Sequence, residues 1–226
     1  MCFNETASLV AFSIGILFCI ILYLKHYPIF YISVLFSITL MQLVEYFTHK
    51  SIATRDSKMN ELCTKFILII VFIQPVMYCY MSMYHPPVKE MYNTKLFSPL
   101  MLGFVLLFIY MFWYFDKYHI FKTSYLKNCD TICRIKWFDF KGFSMFLGIL
   151  FTIFYMLLLI NLNFGRDRNF KYLWAENFMP ISLVVACIYA LSLSNYSLFH
   201  RISYIGSLWC FLTVFLGPVI LLTYKL

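Results

Sequence analysis

The sequence predicts an all-α, polytopic membrane protein with seven transmembrane helices. Hydrophobic residues make up 62% and charged residues 12% of its 226 residues, whereas soluble domains average roughly 45–50% and about 25%. The mean hydropathy of +0.79 points the same way. About 20 consecutive apolar residues are enough to cross a bilayer core, and windows of this kind recur along the whole chain. Almost nothing is left over for a soluble domain.

Each apolar window is expected to be a helix, because lipid offers no hydrogen-bond partner to free backbone groups. The predicted spans lie near residues 8–24, 29–48, 62–84, 97–115, 143–162, 178–194 and 203–224, within one integral membrane domain over 1–226. The first window lacks the basic residues and the cleavage site of a secretory signal, so we expect it to be a retained helix. The longest connection, 116–142, mixes basic and aromatic residues and is expected to lie along the membrane interface.

A weak internal similarity indicates two three-helix halves joined by the fourth helix as a linker. The segment Val71-Phe72-Ile73-Gln74-Pro75 resembles Val214-Phe215-Leu216-Gly217-Pro218. Parallel repeats of this kind occur in transporters. The alternative is a chance similarity within an apolar chain that is rich in phenylalanine.

The formal charge of +8 comes from the connections between the spans. No soluble basic face is left to bind a nucleic acid, so that class of partner is excluded. Connections after even-numbered spans hold most of the Lys and Arg residues, which favours a cytoplasmic N-terminus by the positive-inside rule. The first span argues the reverse, because Glu5 precedes it and Lys25 follows it.

The eight cysteines do not form a pattern typical of a disulfide framework or of a metal site. Cys129 and Cys133 are four residues apart in the longest connection, with His119 upstream. A structural zinc site requires four ligands at characteristic spacings. We therefore expect neither a metal nor another cofactor.

The second span contains the most informative polar residues. Of the ten acidic residues, only Glu45 falls inside a predicted span. At about 100° per residue, Tyr31, Gln42, Glu45 and His49 share an arc of about 60° on one helix face. Such a stripe could relay protons or coordinate a small cation. Alternatively, Glu45 lies close enough to the predicted end at Thr48 to extend into the headgroups, or serves only helix packing.

The third span contains Gln74 and Pro75 near its middle. Pro75 has no N–H to donate, so it frees the carbonyl of Val71 and kinks the helix. A freed carbonyl beside a buried glutamine is a candidate cation or water site, and a simple packing kink is the alternative. Trp209 and Cys210, near the start of the seventh span, are further candidates, although Trp209 also fits an interfacial aromatic belt.

Several short motifs carry a resemblance to a known family. They are Met1-Cys2-Phe3 with Ser8, Met41-Gln42-Leu43-Val44-Glu45, Gln74-Pro75, Lys136-Trp137 and Gly206-Ser207-Leu208-Trp209-Cys210. With these the chain resembles an uncharacterised family of small seven-helix membrane proteins that begin Met-Cys-Phe/Trp, from bacteria, algae and large DNA viruses. The resemblance implies a compact polytopic protein without an established activity. It also makes Cys2 a candidate residue, against the alternative of an ordinary interfacial cysteine.

The sequence favours a transporter or channel for a small solute, a proton or an ion. The expected pathway residues are Glu45, Gln42 and His49, with Gln74 and Pro75 opposite them. A non-catalytic membrane scaffold and an intramembrane lipid-modifying enzyme are the alternatives, and the enzyme is less favoured because no nucleophile–base or metal set can be assembled from the spans. The expected partners are the lipid bilayer, a small solute or ion, and a second copy of the chain in a homo-oligomer.

Overall fold

The computed structural model describes residues 4–84, 94–125, 135–136, 138, 142–163, 181–182, 184–189, 192, 212 and 214–223. This part of the chain is helical nearly throughout. Its helices are α1 Glu5–Leu24, α2 Ile29–Ala53, α3 Ser57–Tyr84, α4 Thr94–Lys117, α5 Phe143–Asn163 and α6 Leu216–Thr223. Two short strands, β1 Ser124–Tyr125 and β2 Ile135–Lys136, lie between α4 and α5.

Within the described residues, four helices are long and apolar enough to cross a membrane, which confirms the all-α class expected of a membrane protein. They cover Glu5–Leu24, Tyr31–Ala53, Ser57–Met77 and Ser98–Lys117, and a shorter apolar helix covers Phe143–Tyr155. Helices α1 to α5 overlap the first five predicted spans. The predicted span 178–194 is described only in part, and of the predicted span 203–224 only residues 212 and 214–223 are described.

Local sequence signals explain how α1 and α2 begin and end. Asn4 caps α1, since its extended backbone lets the side-chain oxygen accept a hydrogen bond from the Ala7 N–H at 2.8 Å. Glu5 in the first turn interacts favourably with the positive end of the helix dipole. After α1 the chain reverses through His26, which has a positive φ of 56°. Pro28 precedes α2 and cannot continue the first helix.

Helices α2 and α3 are longer than predicted where they meet. Helix α2 continues to Ala53 instead of ending at Thr48, and α3 begins at Ser57 instead of Leu62. Only three residues separate them, because Arg55 takes a positive φ of 56° and the Asp56 side chain accepts the Met59 N–H at 3.0 Å. The predicted boundaries followed the ends of the apolar windows. Polar residues beyond such a window can still be helical, because helix propensity is not the same property as hydropathy.

Helix α2 is the central helix, with its most extensive contacts to α1 and α3. Small buried residues on α1 allow α2 to approach closely. At Gly15 an added Cβ would collide with the Thr39 hydroxyl and lie 2.7 Å from its Cγ2 atom. At Gly217 on α6 an added Cβ would lie 2.6 Å from the Cβ of Phe18, so this helix packs tightly against α1.

The connection after α4 folds back against the bundle. Its strands pair antiparallel, with Ser124 opposite Lys136 and Tyr125 opposite Ile135. Phe121 and Phe138 are buried, and their ring centroids lie 5.8 Å and 5.7 Å from that of Phe115 in α4. This part of the connection therefore packs against the bundle, and its location along the membrane interface stays a prediction.

The bundle end at which α2 and α4 end and α3 and α5 begin is called the hairpin end below. A contact between α2 and α3 places Ser51 beside Asn60, and an ion pair joins Lys65 of α3 to Asp116 of α4 at 2.7 Å. Helix α1 also begins here, because it runs antiparallel to α2 after a short turn. Both strands belong to this end.

The contact between Gly15 and Thr39 gives a direct test of the packing of α1 on α2. Gly15→Ala should lower the free energy of unfolding by about 1–3 kcal/mol, the usual cost of overpacking a core. Thr39→Ala removes the colliding atoms, so it should recover most of this loss in the double variant. Thermal unfolding in detergent micelles measures the stability of the single and the double variant. Ser13→Ala, at an exposed position of the same helix, is the control. Equal stability of Gly15→Ala and the unchanged protein would contradict this packing.

Candidate functional site

The polar stripe of α2 is buried inside the protein. Glu45 and Gln42 are 0% exposed and His49 is 2% exposed. Glu45 lies eight residues before the helix end at Ala53, about 12 Å at 1.5 Å per residue. The alternative in which Glu45 extends to the headgroups is therefore wrong, since protein covers its side chain completely.

The other acidic residues that the structure describes are more accessible than Glu45. Helices α3 and α4 include Glu61 and Asp116, which we had placed outside the spans. Their side chains are 50% and 56% exposed, and a carboxylate oxygen of each lies 2.7 Å from Lys65 Nζ. Exposed ion pairs of this kind contribute little to stability. A fully buried carboxylate is far more costly to maintain, which makes Glu45 the exceptional acid of the described chain.

A cluster of buried polar groups joins α2, α3 and the residue that precedes β1 at the hairpin end. The Asn60 side chain accepts the Thr123 N–H at 2.9 Å and donates to the Thr123 carbonyl at 3.0 Å. The Thr64 and Thr123 hydroxyls are 2.7 Å apart, and the Asn60 amide also donates to Ser51 Oγ at 3.3 Å. We call the contacts of Asn60 and Thr64 with Thr123 the Asn60 clamp. This clamp fixes the connection after α4 to the bundle.

The Asn60 clamp brings Tyr125 over His49. Tyr125 follows Thr123 by two residues, and its hydroxyl lies 3.1 Å from His49 Nδ1. Their ring centroids are 5.7 Å apart. Burial raises the pKa of the Tyr125 phenol, and the negative charge of Glu5 raises it further. The phenol is therefore neutral at physiological pH, and the start of α1 lies near this pair.

Gln74 is buried at a different level of the bundle. Its side-chain oxygen accepts a hydrogen bond from the Tyr155 hydroxyl of α5 at 3.2 Å. Helix α3 runs through Pro75 as far as Tyr84. Since Ser51 lies beside Asn60, antiparallel counting places Gln74 level with Ser37, about 12 Å along α2 from Glu45 at 1.5 Å per residue. A single small ion would not contact both Glu45 and Gln74.

The remaining candidates lie outside the described residues. They are Cys2, Trp209 and Cys210, together with the pair Cys129 and Cys133. Within the part of the chain that the structure describes, no three metal-ligating side chains come together.

Sequence reasoning missed the Asn60 clamp and Tyr125. Asn60 had a usable signal, because it lies one turn before Thr64 and continues the spacing of the buried residues Ile67 and Leu68. An earlier start of the third span would have placed it on the buried face. Thr123 and Tyr125 had no such signal, since their partners are 63 and 76 residues away in sequence.

Comparisons with known proteins found no match among protein-family models, curated proteins or solved structures. The site must therefore be interpreted from its own geometry.

The Asn60 clamp predicts unequal effects for two otherwise similar threonines. Thr64 and Thr152 both donate to the carbonyl one turn earlier, at 2.7 Å and 2.8 Å, but only Thr64 also contacts Thr123. Thr64→Val should cost about 1–3 kcal/mol, because the buried Thr123 hydroxyl loses a partner. Thr152→Val, at an exposed position, should be nearly neutral. Thermal unfolding and amide exchange at Thr123 test this, and equal effects would contradict the clamp.

The Tyr125 environment predicts a measurable shift in titration. The Tyr125 pKa should lie above the ordinary value of about 10, and Glu5→Gln should lower it by removing a nearby negative charge. Incorporated 3-fluorotyrosine gives a ¹⁹F signal that Tyr125→Phe identifies. Glu61→Gln, which removes a carboxylate paired with Lys65, should leave that signal unchanged. An unshifted Tyr125 would mean that the phenol is not buried as described.

Proposed function

We propose that this chain is a membrane transporter or channel in which Glu45 exchanges a proton or a small cation. The observation that supports this most directly is the complete burial of Glu45 on the central helix, with Gln42 and His49 buried on the same stripe. Ionisable groups inside a membrane domain are costly, and in general they mark ion pathways and proton relays. A carboxylate serves such a role by alternating between two charge states.

The stripe would form the half of the pathway nearest the hairpin end. His49 is closest to that end, Glu45 lies one turn deeper and Gln42 roughly another turn deeper. Ser37 and Thr39 continue along α2, but their hydroxyls donate to backbone carbonyls of the same helix at 2.8 Å. The next side chains that can donate a hydrogen bond to a solute would therefore come from other helices.

Gln74 would provide the continuation of this pathway. Its amide Nε2 has no hydrogen-bond partner among the described residues, and Pro75 withholds the N–H that the Val71 carbonyl would accept. A donor and an acceptor near each other in an apolar span can bind water or a small polar solute, if they line a cavity. In this proposal the solute passes from Gln42 to Gln74 as the helices move.

We further propose seven spans with a cytoplasmic N-terminus, arranged as two three-helix halves. In support of the halves, Pro75 and Pro218 align in the two similar sequence segments 71–75 and 214–218. In support of the orientation, the hairpin end carries exposed basic residues. Lys117 also stacks over Trp113 and Tyr118 at 4.9 Å and 5.5 Å from the ring centroids, as in interfacial anchors. The exposed basic residues are Lys50, Arg55, Lys58, Lys117 and Lys122.

A non-catalytic scaffold is the second candidate, and the Asn60 clamp is the observation that favours it. There, buried polar groups bond one another and fix one segment to another without any solute. If Gln42 and Glu45 acted in the same way, they would only position α2. A lipid-modifying enzyme is the third alternative, and turnover of labelled lipid by the purified protein would favour it.

Glu45→Gln separates transport from scaffolding. In proteoliposomes that contain a pH-sensitive dye, we expect this variant to abolish proton or cation flux, because the amide keeps the shape but not the exchangeable charge. Its thermal unfolding should be close to that of the unchanged protein. Glu61→Gln, which removes an exposed carboxylate, should conduct normally. Equal flux in Glu45→Gln and the unchanged protein would contradict the proposal, and flux no greater than that of empty vesicles would favour the scaffold.

A further inference from the structure

The exposure of the polar groups falls steadily from the surface of the hairpin end toward Glu45. Glu5 and Tyr125 are both partly exposed. His49 is buried beneath Tyr125, and Glu45 lies one helical turn beyond His49. These groups come from three separate segments, namely α1, β1 and α2. These are groups that can hold or pass protons, and they lie at successive depths between the surface and the interior.

The geometry within this series suits proton transfer. The Tyr125 hydroxyl is within hydrogen-bonding distance of His49 Nδ1, at 3.1 Å. Residues four apart on a helix have Cβ atoms about 5–6 Å apart. Helical side chains also lean toward the N-terminus, so the His49 ring leans toward the turn that carries Glu45. The imidazole thus contacts Tyr125 through Nδ1 and lies one helical turn from the carboxylate.

We propose that Tyr125 and His49 form the route by which protons reach Glu45 from the hairpin end. This proposal rests on the proposed transport function and adds the residues that control access. Tyr125 covers His49 from the connection after α4, whereas Glu61 of α3 and Asp116 of α4 pair with Lys65. The charged neighbour from α1 is Glu5, which acts on Tyr125.

Each transfer in this route balances in atoms and charge. A hydronium ion near Glu5 gives a proton to the Tyr125 oxygen and becomes water, while the phenol gives its own proton to His49 Nδ1. The imidazolium then turns, releases this Nδ1 proton to the Glu45 carboxylate, and turns back as the same neutral Nε2–H tautomer. The phenol stays neutral throughout, in keeping with a raised pKa. Glu5 would attract protons to the mouth of the route.

The Asn60 clamp holds this route in place. Thr123 is fixed by two hydrogen bonds to Asn60 and by the Thr64 hydroxyl, and Tyr125 follows directly on the paired strand β1. Its position over His49 is therefore set by the packing of α2 on α3 and does not depend on a free loop. Tyr125 is thus a positioning and relay residue and not a ligand of a transported solute.

Tyr125→Phe tests the route, because it removes the hydroxyl and keeps the ring. We expect proton flux into proteoliposomes to fall by about a hundredfold, the lower end of what a positioned proton-transfer group contributes. His49→Gln should cause a similar loss, and the double variant should lose no more than either single variant. Tyr118→Phe, at an exposed tyrosine of the same end, is the matched control. Unchanged flux in Tyr125→Phe would overturn the route.

A second measurement, independent of flux, separates this proposal from the transport function. Exchange of the His49 imidazole proton with water can be followed by ¹⁵N-histidine NMR in lipid nanodiscs. Slower exchange in Tyr125→Phe supports the route even if no flux exists, in which case only the transport function fails. The opposite case is also distinguishable. If flux disappears in Glu45→Gln but both flux and His49 exchange are normal in Tyr125→Phe, the transport function is supported and the route is overturned.

Discussion

The antiparallel packing of α2 on α3 determines where the buried polar groups of this protein lie. Ser51 sits beside Asn60, and this register fixes the level of every residue along the two helices at 1.5 Å per residue. It places the Asn60 clamp at one end of the bundle, Glu45 deeper and Gln74 deeper again. A shift of one turn between these helices would disconnect Thr123 from Asn60 and move Tyr125 away from His49.

The buried polar residues satisfy their hydrogen bonds in two ways. Hydroxyl groups can donate to a carbonyl of their own helix, as Thr39 and Thr48 do at 2.8 Å. Such residues are inexpensive inside a membrane bundle because they need no neighbour. Longer side chains such as Asn60 reach another segment instead. Carboxylate and imidazole groups bring a further property, because their charge changes with protonation. This separates Glu45 and His49 from the hydroxyls that surround them.

The sequence was sufficient for helices α1 to α5 and for the stripe, but not for the parts that complete the site. Hydropathy located α1 to α5, and the period of about 3.6 residues grouped Gln42, Glu45 and His49 on one face. The hairpin end escaped prediction because polar residues continue helices α2 and α3 beyond their apolar windows. The contact between Tyr125 and His49 joins residues 76 positions apart, and no local pattern encodes such a pairing. Whether the chain has two repeated halves stays a prediction.

The choice between a transporter and a scaffold depends on why residue 45 is a carboxylate. A glutamine would fill nearly the same volume and would cost less to bury, since a neutral amide loses less hydration energy than a charge. Gln42, one turn away and equally buried, is an amide on the same stripe. A helix that only needed a polar contact would gain nothing from the acid. An acid that receives protons through His49 and Tyr125, by contrast, requires the group that Glu45 provides.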